Sequence, residues 1–232
     1  MDISEKAKIY LHQHLDELIL KFANIQEFPS SKRPMTFFMA GSPGAGKTEF
    51  SIGFNQNLVT INKNFKCVRI DADEIKEFIP FYDGKNSDEV KLAAIIGLQK
   101  LFDYSLKQQQ NIILDGTFSS YKHSREDVIR SLKRNRDVDI FYLHQDPLVA
   151  WEFTKGREKK QGRTIPKKIF IDSYFQAKEN VNRIKKEFNK QVAIHLIIKN
   201  FKNDTEDSRL YIDEIDNFLK LKYTKKQLES LI

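Results

Sequence analysis

The stretch Gly41-Ser42-Pro43-Gly44-Ala45-Gly46-Lys47-Thr48 follows directly on an apolar run from Met35 to Ala40. It matches G-x-x-x-x-G-K-[ST], in which a glycine-rich loop between a buried strand and a helix turns backbone N–H groups and the helix dipole toward phosphate oxygens. In that arrangement the loop, together with Glu49, cradles the phosphates. The Lys47 ammonium reaches the β- and γ-phosphates, and the Thr48 hydroxyl ligates Mg²⁺. ATP or GTP with Mg²⁺ is the ligand set this predicts.

The rest of the chain repeats a strand–helix alternation around that loop. Apolar runs at 35–40, 67–73, 111–117, 138–144 and 191–200 read as strands. Helical patterns occupy 4–24 with Ser4 as N-cap, then 48–59, 88–108, 125–135, 147–160 and 166–189, and a last one begins at 208. Such alternation predicts an α/β fold of the P-loop NTPase or kinase type, a mostly parallel sheet with helices on both faces. We expect one domain over 1–232, opening on an N-terminal packing helix within 1–28 and carrying a basic helical lid within 151–190. His12 and His14 lie two apart, on different faces of a helix, which argues against a metal site there.

Charge and cysteine usage narrow the setting. The net charge of +7 suits phosphate-bearing partners, and residues 155–190 hold twelve Lys/Arg against four Asp/Glu. Cys67 is the single cysteine, which excludes an internal disulfide and agrees with a reducing compartment; it reads as a small apolar strand residue. The N-terminus is broken by charges throughout, so it predicts neither a signal peptide nor a membrane partner, and the expected location is cytoplasmic.

Other residues choose among P-loop classes. The fourth strand runs into "YLHQDPL", which lacks a GTPase-like base-reading segment, and the chain is short for a motor, whereas a small kinase needs a core, an acceptor pocket and a basic lid. The second strand ends in Asp71-Ala72-Asp73-Glu74, where carboxylates emerging from a strand's C-terminal end face the γ-phosphate. Strand alternation puts Asp71 and Asp73 on one side. Asp73 is the candidate general base, with helix capping as the competing reading, and Asp71 reads as structural or supporting. Asp115 in "LDGT" reads as a Walker-B-like acid for Mg²⁺, or else as a turn-initiating Asp-Gly, and Thr117 sits where acceptor or phosphate would touch it. Arg157 and Arg163 flank a lysine-rich, Gly-containing break between two helices. They are candidates to close on the transferring phosphate, while Lys159, Lys160, Lys167 and Lys168 read as solvated surface. Aromatic–basic interleaving of the kind that stacks nucleic-acid bases is missing, so nucleic acid is an unlikely partner.

Four segments taken together, "GSPGAGKT", "IDADEIKEFIP", "ILDGT" and "GREKKQGRTIPK", resemble the zeta toxin family of P-loop kinases from toxin–antitoxin systems, over residues 36 to about 168. The resemblance implies phosphorylation of the 3′-hydroxyl of a UDP-activated amino sugar, typically UDP-N-acetylglucosamine, which impairs cell-wall synthesis. It implies Lys47 and Thr48 for nucleotide and Mg²⁺, Asp73 as catalytic base, and Arg157 and Arg163 on the transferring phosphate. It also implies a small helical antitoxin that blocks the nucleotide site, with the N-terminal helix as candidate docking face. Two positions depart from the family pattern, both on the acceptor side. Where the family tends to have Glu-Gly-Thr followed by arginine, this chain has Asp115-Gly116-Thr117-Phe118-Ser119. Where the preceding helix usually offers an acidic substrate contact, Gln99 stands. A kinase for another acceptor, such as a nucleoside, a small metabolite or a nucleic-acid 5′-hydroxyl, and a nucleotide-binding module without transfer remain the alternatives.

Overall fold

The computed structural model describes residues 1–161 and 164–232, and for Lys160 and Gln161 the backbone only. Helices α1 (Ile3–Gln13) and α2 (Leu15–Ala23) precede β1 (Met35–Ala40), which leads through the phosphate loop into α3 (Lys47–Ile61). There follow β2 (Cys67–Asp71), α4 (Ala72–Phe78), α5 (Ser87–Lys107), β3 (Asn111–Asp115), α6 (Tyr121–Leu132) and β4 (Asp137–His144). The chain ends with α7 (Pro147–Gln161), α8 (Lys167–Phe188), β5 (Val192–Lys199), β6 (Thr205–Ile212) and α9 (Lys225–Leu231).

The strands form one six-stranded sheet in the order β2-β3-β1-β4-β5-β6, parallel throughout except for the β5–β6 pair. Alternation sorts their side chains. Phe38, Ala40, Ile70, Ile112, Ile140 and Leu196 enter the larger core with α1, α2, α5, α6 and α8. On the other face Phe37, Met39, Ile113, Phe141 and Ile197 meet Phe50, Phe54 and Leu58 of α3. Helices thus cover both faces, as a parallel sheet with nearly unbroken apolar strands requires. Cys67 is buried in this second cluster, and burial pushes its thiol up to about 12.

Three expectations change. The N-terminal helix is two helices broken at His14, whose ring stacks on Tyr10 at 4.1 Å and hydrogen-bonds Glu17 at 2.8 Å; its N-cap is Asp2, whose Oδ1 accepts from the Glu5 N–H, rather than Ser4. The helix expected from residue 208 is instead the antiparallel edge strand β6, followed by a single 3₁₀ turn at Ile215–Asn217 and then α9. Its turn is built by Asn200, whose Oδ1 accepts from the Lys202 and Asp204 N–H groups, and by Asn203 at φ 68°. Finally, α8 is no mobile lid: Phe170, Tyr174, Ala177, Val181 and Ile184 recur at helical spacing and are buried. Its basic residues line a groove of about 1050 Å³ against Asp213, Glu214 and Asp216, where Lys178 pairs with Asp216. Part of the local positive charge therefore faces the acidic C-terminal segment, through Lys178 and Lys185.

Small residues let the helical layer close over β2. A Cβ at Gly97 of α5 would stand 2.9 Å from Ile75 Cγ2 and 3.1 Å from Leu11 Cδ1, so α1, α4 and α5 meet at a point with no room for a branched side chain. Gly97→Val should cost about 1–3 kcal/mol by overpacking. Gly97→Ala should also destabilise, though by less, because its Cβ meets Ile75 Cγ2, a methyl of a fully buried β-branched side chain that is stiff at χ1, and alanine's gain in helix propensity offsets only part of this. Urea midpoints at unchanged m-value will separate the two. Among the described residues no helix is long and apolar enough to cross a membrane.

Candidate active site

The phosphate loop is packed so tightly that two of its glycines are obligatory. Gly44 has φ 75° and Gly46 φ 79°, both in the left-handed region. A Cβ at Gly44 would run into the Ala150 carbonyl oxygen and Thr154 of α7, and one at Gly46 into the carboxamide of Asn203 from the β5–β6 turn. Ser42, Pro43 and Ala45 complete the curve, with the Ala45 N–H donating to Ser42 O at 3.2 Å. The Gly41 N–H donates to Thr117 O at 3.1 Å, which ties the start of the loop to the end of β3. Lys47 Nζ donates to Ser42 O at 2.7 Å, so the ammonium lies across the mouth of its own loop. Gly46 caps α3, and Lys47, Thr48 and Glu49 form that helix's first turn.

The carboxylates come from the two neighbouring strand ends. Asp71 ends β2 and caps α4, its Oδ1 accepting from the Asp73 N–H at 2.8 Å. Strand alternation therefore stops at Asp71, and the expectation that both aspartates share a side through the strand is corrected: Asp73 belongs to the first turn of α4. Capping falls to Asp71. Asp73 is 40% exposed and its Oδ1 accepts from the buried Lys76 ammonium at 3.0 Å, which also donates to Ser87 Oγ at 2.7 Å. Asp115, directly opposite Asp71 in the β2–β3 register, is 4% exposed in its side chain. Burial pushes its carboxyl up and the neighbouring Asp71 adds to this, while Lys47, Arg69 and the Ser51 hydroxyl pull the other way.

One cavity of about 220 Å³ gathers Lys47, Thr48, Asp73, Asp115, Thr117 and Arg157. Arg157 lies in the C-terminal part of α7, within the helix expected over 147–160, and its guanidinium donates to Glu49 Oε1 at 2.6 Å. Arg163 lies outside the described residues. A second cavity of about 190 Å³ shares Asp115, Gly116 and Thr117 with the first and runs on past Ser119, Leu98 and Phe118 to Asp127. Thr117 and Ser119 face each other at 2.8 Å between their hydroxyls. Gln99 lines neither cavity; its Oε1 accepts from Arg130 at 2.5 Å, beside the Arg130–Asp127 pair.

Among the described residues no group of three or more His, Cys, Asp or Glu side chains could hold a metal. Mg²⁺ retains water and takes one or two protein oxygens plus substrate phosphates, so Thr48 and Asp115 in one cavity fit a cation that arrives with its nucleotide. Three residues went unread in the sequence. Arg69 carries a strand-alternation signal, two residues before Asp71; Lys76 sits one helical turn after Asp73; Asn203 had no local signal for its place over Gly46.

A phosphate loop flanked by two strand-end carboxylates and a helix-borne arginine, on a sheet of this order, is the site of a P-loop kinase-like protein. The family model for zeta toxin matches residues 20–215, and the chain belongs to the zeta toxin family. No curated protein matches the sequence. Among solved structures it is similar to one from the PezAT chromosomal toxin–antitoxin system of Streptococcus pneumoniae, with TM-score 0.64, 16% identity, and 99% and 95% of the two chains covered. It is also similar to a chain of the AvrRxo1-ORF1:ORF2 complex crystallised with ATP, with TM-score 0.62 and 12% identity over 90% of this chain and 65% of that one. A third, from the Pnkp1/Rnl/Hen1 RNA repair complex, has TM-score 0.53 and 19% identity over 67% of this chain and 47% of the other. These likenesses carry the fold.

Proposed function

We propose that this protein transfers the γ-phosphate of ATP or GTP to a hydroxyl of a UDP-activated amino sugar, the 3′-hydroxyl of UDP-N-acetylglucosamine, and so blocks cell-wall synthesis. The observation that carries the reading is the single cavity holding Lys47, Thr48, Asp73, Asp115, Thr117 and Arg157. Backbone N–H groups of the loop and the Lys47 ammonium hold the β- and γ-phosphates. Mg²⁺, when bound by Thr48 and Asp115, offsets charge on the transferring phosphoryl. Asp73 accepts the proton of the acceptor hydroxyl as its oxygen bonds to the γ-phosphorus and the bond to the nucleoside diphosphate breaks. Arg157, with Arg163, neutralises the oxygens in flight. Thr117 and Ser119 orient the acceptor, and Gln99 acts only at a distance, through Arg130 and the Asp127 wall of the second cavity. A small helical antitoxin is the proposed partner, in keeping with the toxin–antitoxin origin of the pneumococcal relative.

The test is transfer of labelled phosphate from ATP or GTP, with Mg²⁺, to a panel of UDP-sugars, nucleosides and short RNA, with products resolved by mass. Phosphorylated UDP-N-acetylglucosamine is expected. Transfer only to another acceptor would mean that Gln99 and Ser119 mark a retuned acceptor pocket on a kinase core. Hydrolysis with no acceptor would sink the transferase reading.

A further inference from the structure

A strand-end arginine, Arg69, joins four elements around the phosphate site without lining its cavity. Arg69 of β2 is 9% exposed and does not line the cavity. Its Nη1 reaches Asp71 Oδ2 at 3.1 Å, Asp115 Oδ2 at 2.9 Å and Ser51 Oγ at 3.4 Å, while Nη2 pairs with Glu74. One guanidinium thus joins β2, β3, α3 and α4. The β2–β3 register sets Asp71 directly opposite Asp115, two buried like charges that would repel without it.

The pattern of oxygens used gives the contact a direction. Ser51 Oγ and Arg69 Nη1 both hold Oδ2 of Asp115, and among the described residues no hydrogen bond uses Oδ1. Asp71 divides its two oxygens between Arg69 and the Asp73 N–H, which begins the turn that carries Asp73. We propose that Arg69 is a positioning residue: its fork fixes the Asp115 carboxylate with one oxygen free for the cavity, and sets the first turn of α4, with Asp73, against the phosphate loop. This rests on the phosphotransfer reading above for what the positioned groups do. Mere neutralisation of the strand ends would need a positive charge only. Positioning needs the rigid planar fork, with Nη1 on the two aspartates and Nη2 on Glu74, which the single ammonium of lysine lacks.

Arg69→Lys separates the two, with Arg69→Met as the uncharged control. Two readouts are taken on each folded variant: nucleotide affinity with Mg²⁺ and with chelator, and kcat and KM for transfer. For Arg69→Lys, affinity in chelator should stay near wild type, while the gain from Mg²⁺ and kcat should each fall about 10- to 100-fold, as for residues that orient metal ligands. The KM for the acceptor should move little. Arg69→Met should lose more of the same quantities, and if it fails to fold the lysine variant decides alone. An Arg69→Lys protein with wild-type Mg²⁺ gain and wild-type kcat overturns the proposal. If wild type gains affinity from Mg²⁺ but transfers to no hydroxyl, the transferase reading fails by itself and the binding arm still judges Arg69; wild type that binds no nucleotide overturns both.

Discussion

Asp73→Asn should bind nucleotide as wild type does and lose transfer, with kcat down by about 10²- to 10⁴-fold, the usual worth of a positioned general base. The substitution is close to isosteric, and the amide oxygen can still accept from Lys76 Nζ, which now lies 3.0 Å from Asp73 Oδ1. Asp73 is 40% exposed but the Lys76 side chain only 8%, so the neutral amide leaves a buried ammonium held by hydrogen bonds alone, including the one to Ser87 Oγ; some stability is lost, and folding of the variant is checked before transfer is read. What is removed is proton acceptance. Lys47→Ala makes the contrast, because the ammonium serves the phosphates before and during transfer, and both affinity and kcat should fall. Calorimetric binding beside single-turnover transfer reads the two effects separately. An Asp73→Asn protein that transfers at the wild-type rate would remove Asp73 from its proposed role.

What could be read from the sequence follows the range of the interactions. The phosphate loop is contiguous, and strands such as β1 and β3 are apolar on both faces, so residues 35–48 and the parallel character of the sheet are legible locally. β6 is not, because it is an edge strand whose only buried residue is Ile212, and an edge with Glu206, Asp207 and Arg209 outward has no hydrophobic pattern to betray it. Its signal lay in the turn, Asn200 to Asp204, rather than in the strand. The Asp71/Asp73 geometry is hidden from the sequence for a related reason: an aspartate that caps a helix ends the strand alternation at itself. Arg69 is the plainest loss. Its partners Ser51, Asp71, Glu74 and Asp115 lie on four elements, and only the sheet register brings Asp71 and Asp115 side by side.

Arg157→Ala is the second large effect expected, about 10³-fold in kcat with nucleotide affinity changed far less, the signature of a cation that acts on the charge of transfer. The structure holds Arg157 in the cavity wall but engaged with Glu49, in the first turn of α3. Both partners are well exposed, 38% and 53%, so the pair is worth no more than about 1 kcal/mol, far less than a guanidinium gains on a multiply charged phosphate. Glu49 therefore parks the arginine beside the loop without locking it. Glu49→Gln, which weakens the parking contact and leaves the fork free, should keep kcat within about threefold of wild type. If Arg157→Ala and Glu49→Gln instead lose transfer equally, the ion pair itself is what matters. Arg157 would then be holding α7 on α3 rather than reaching the phosphate.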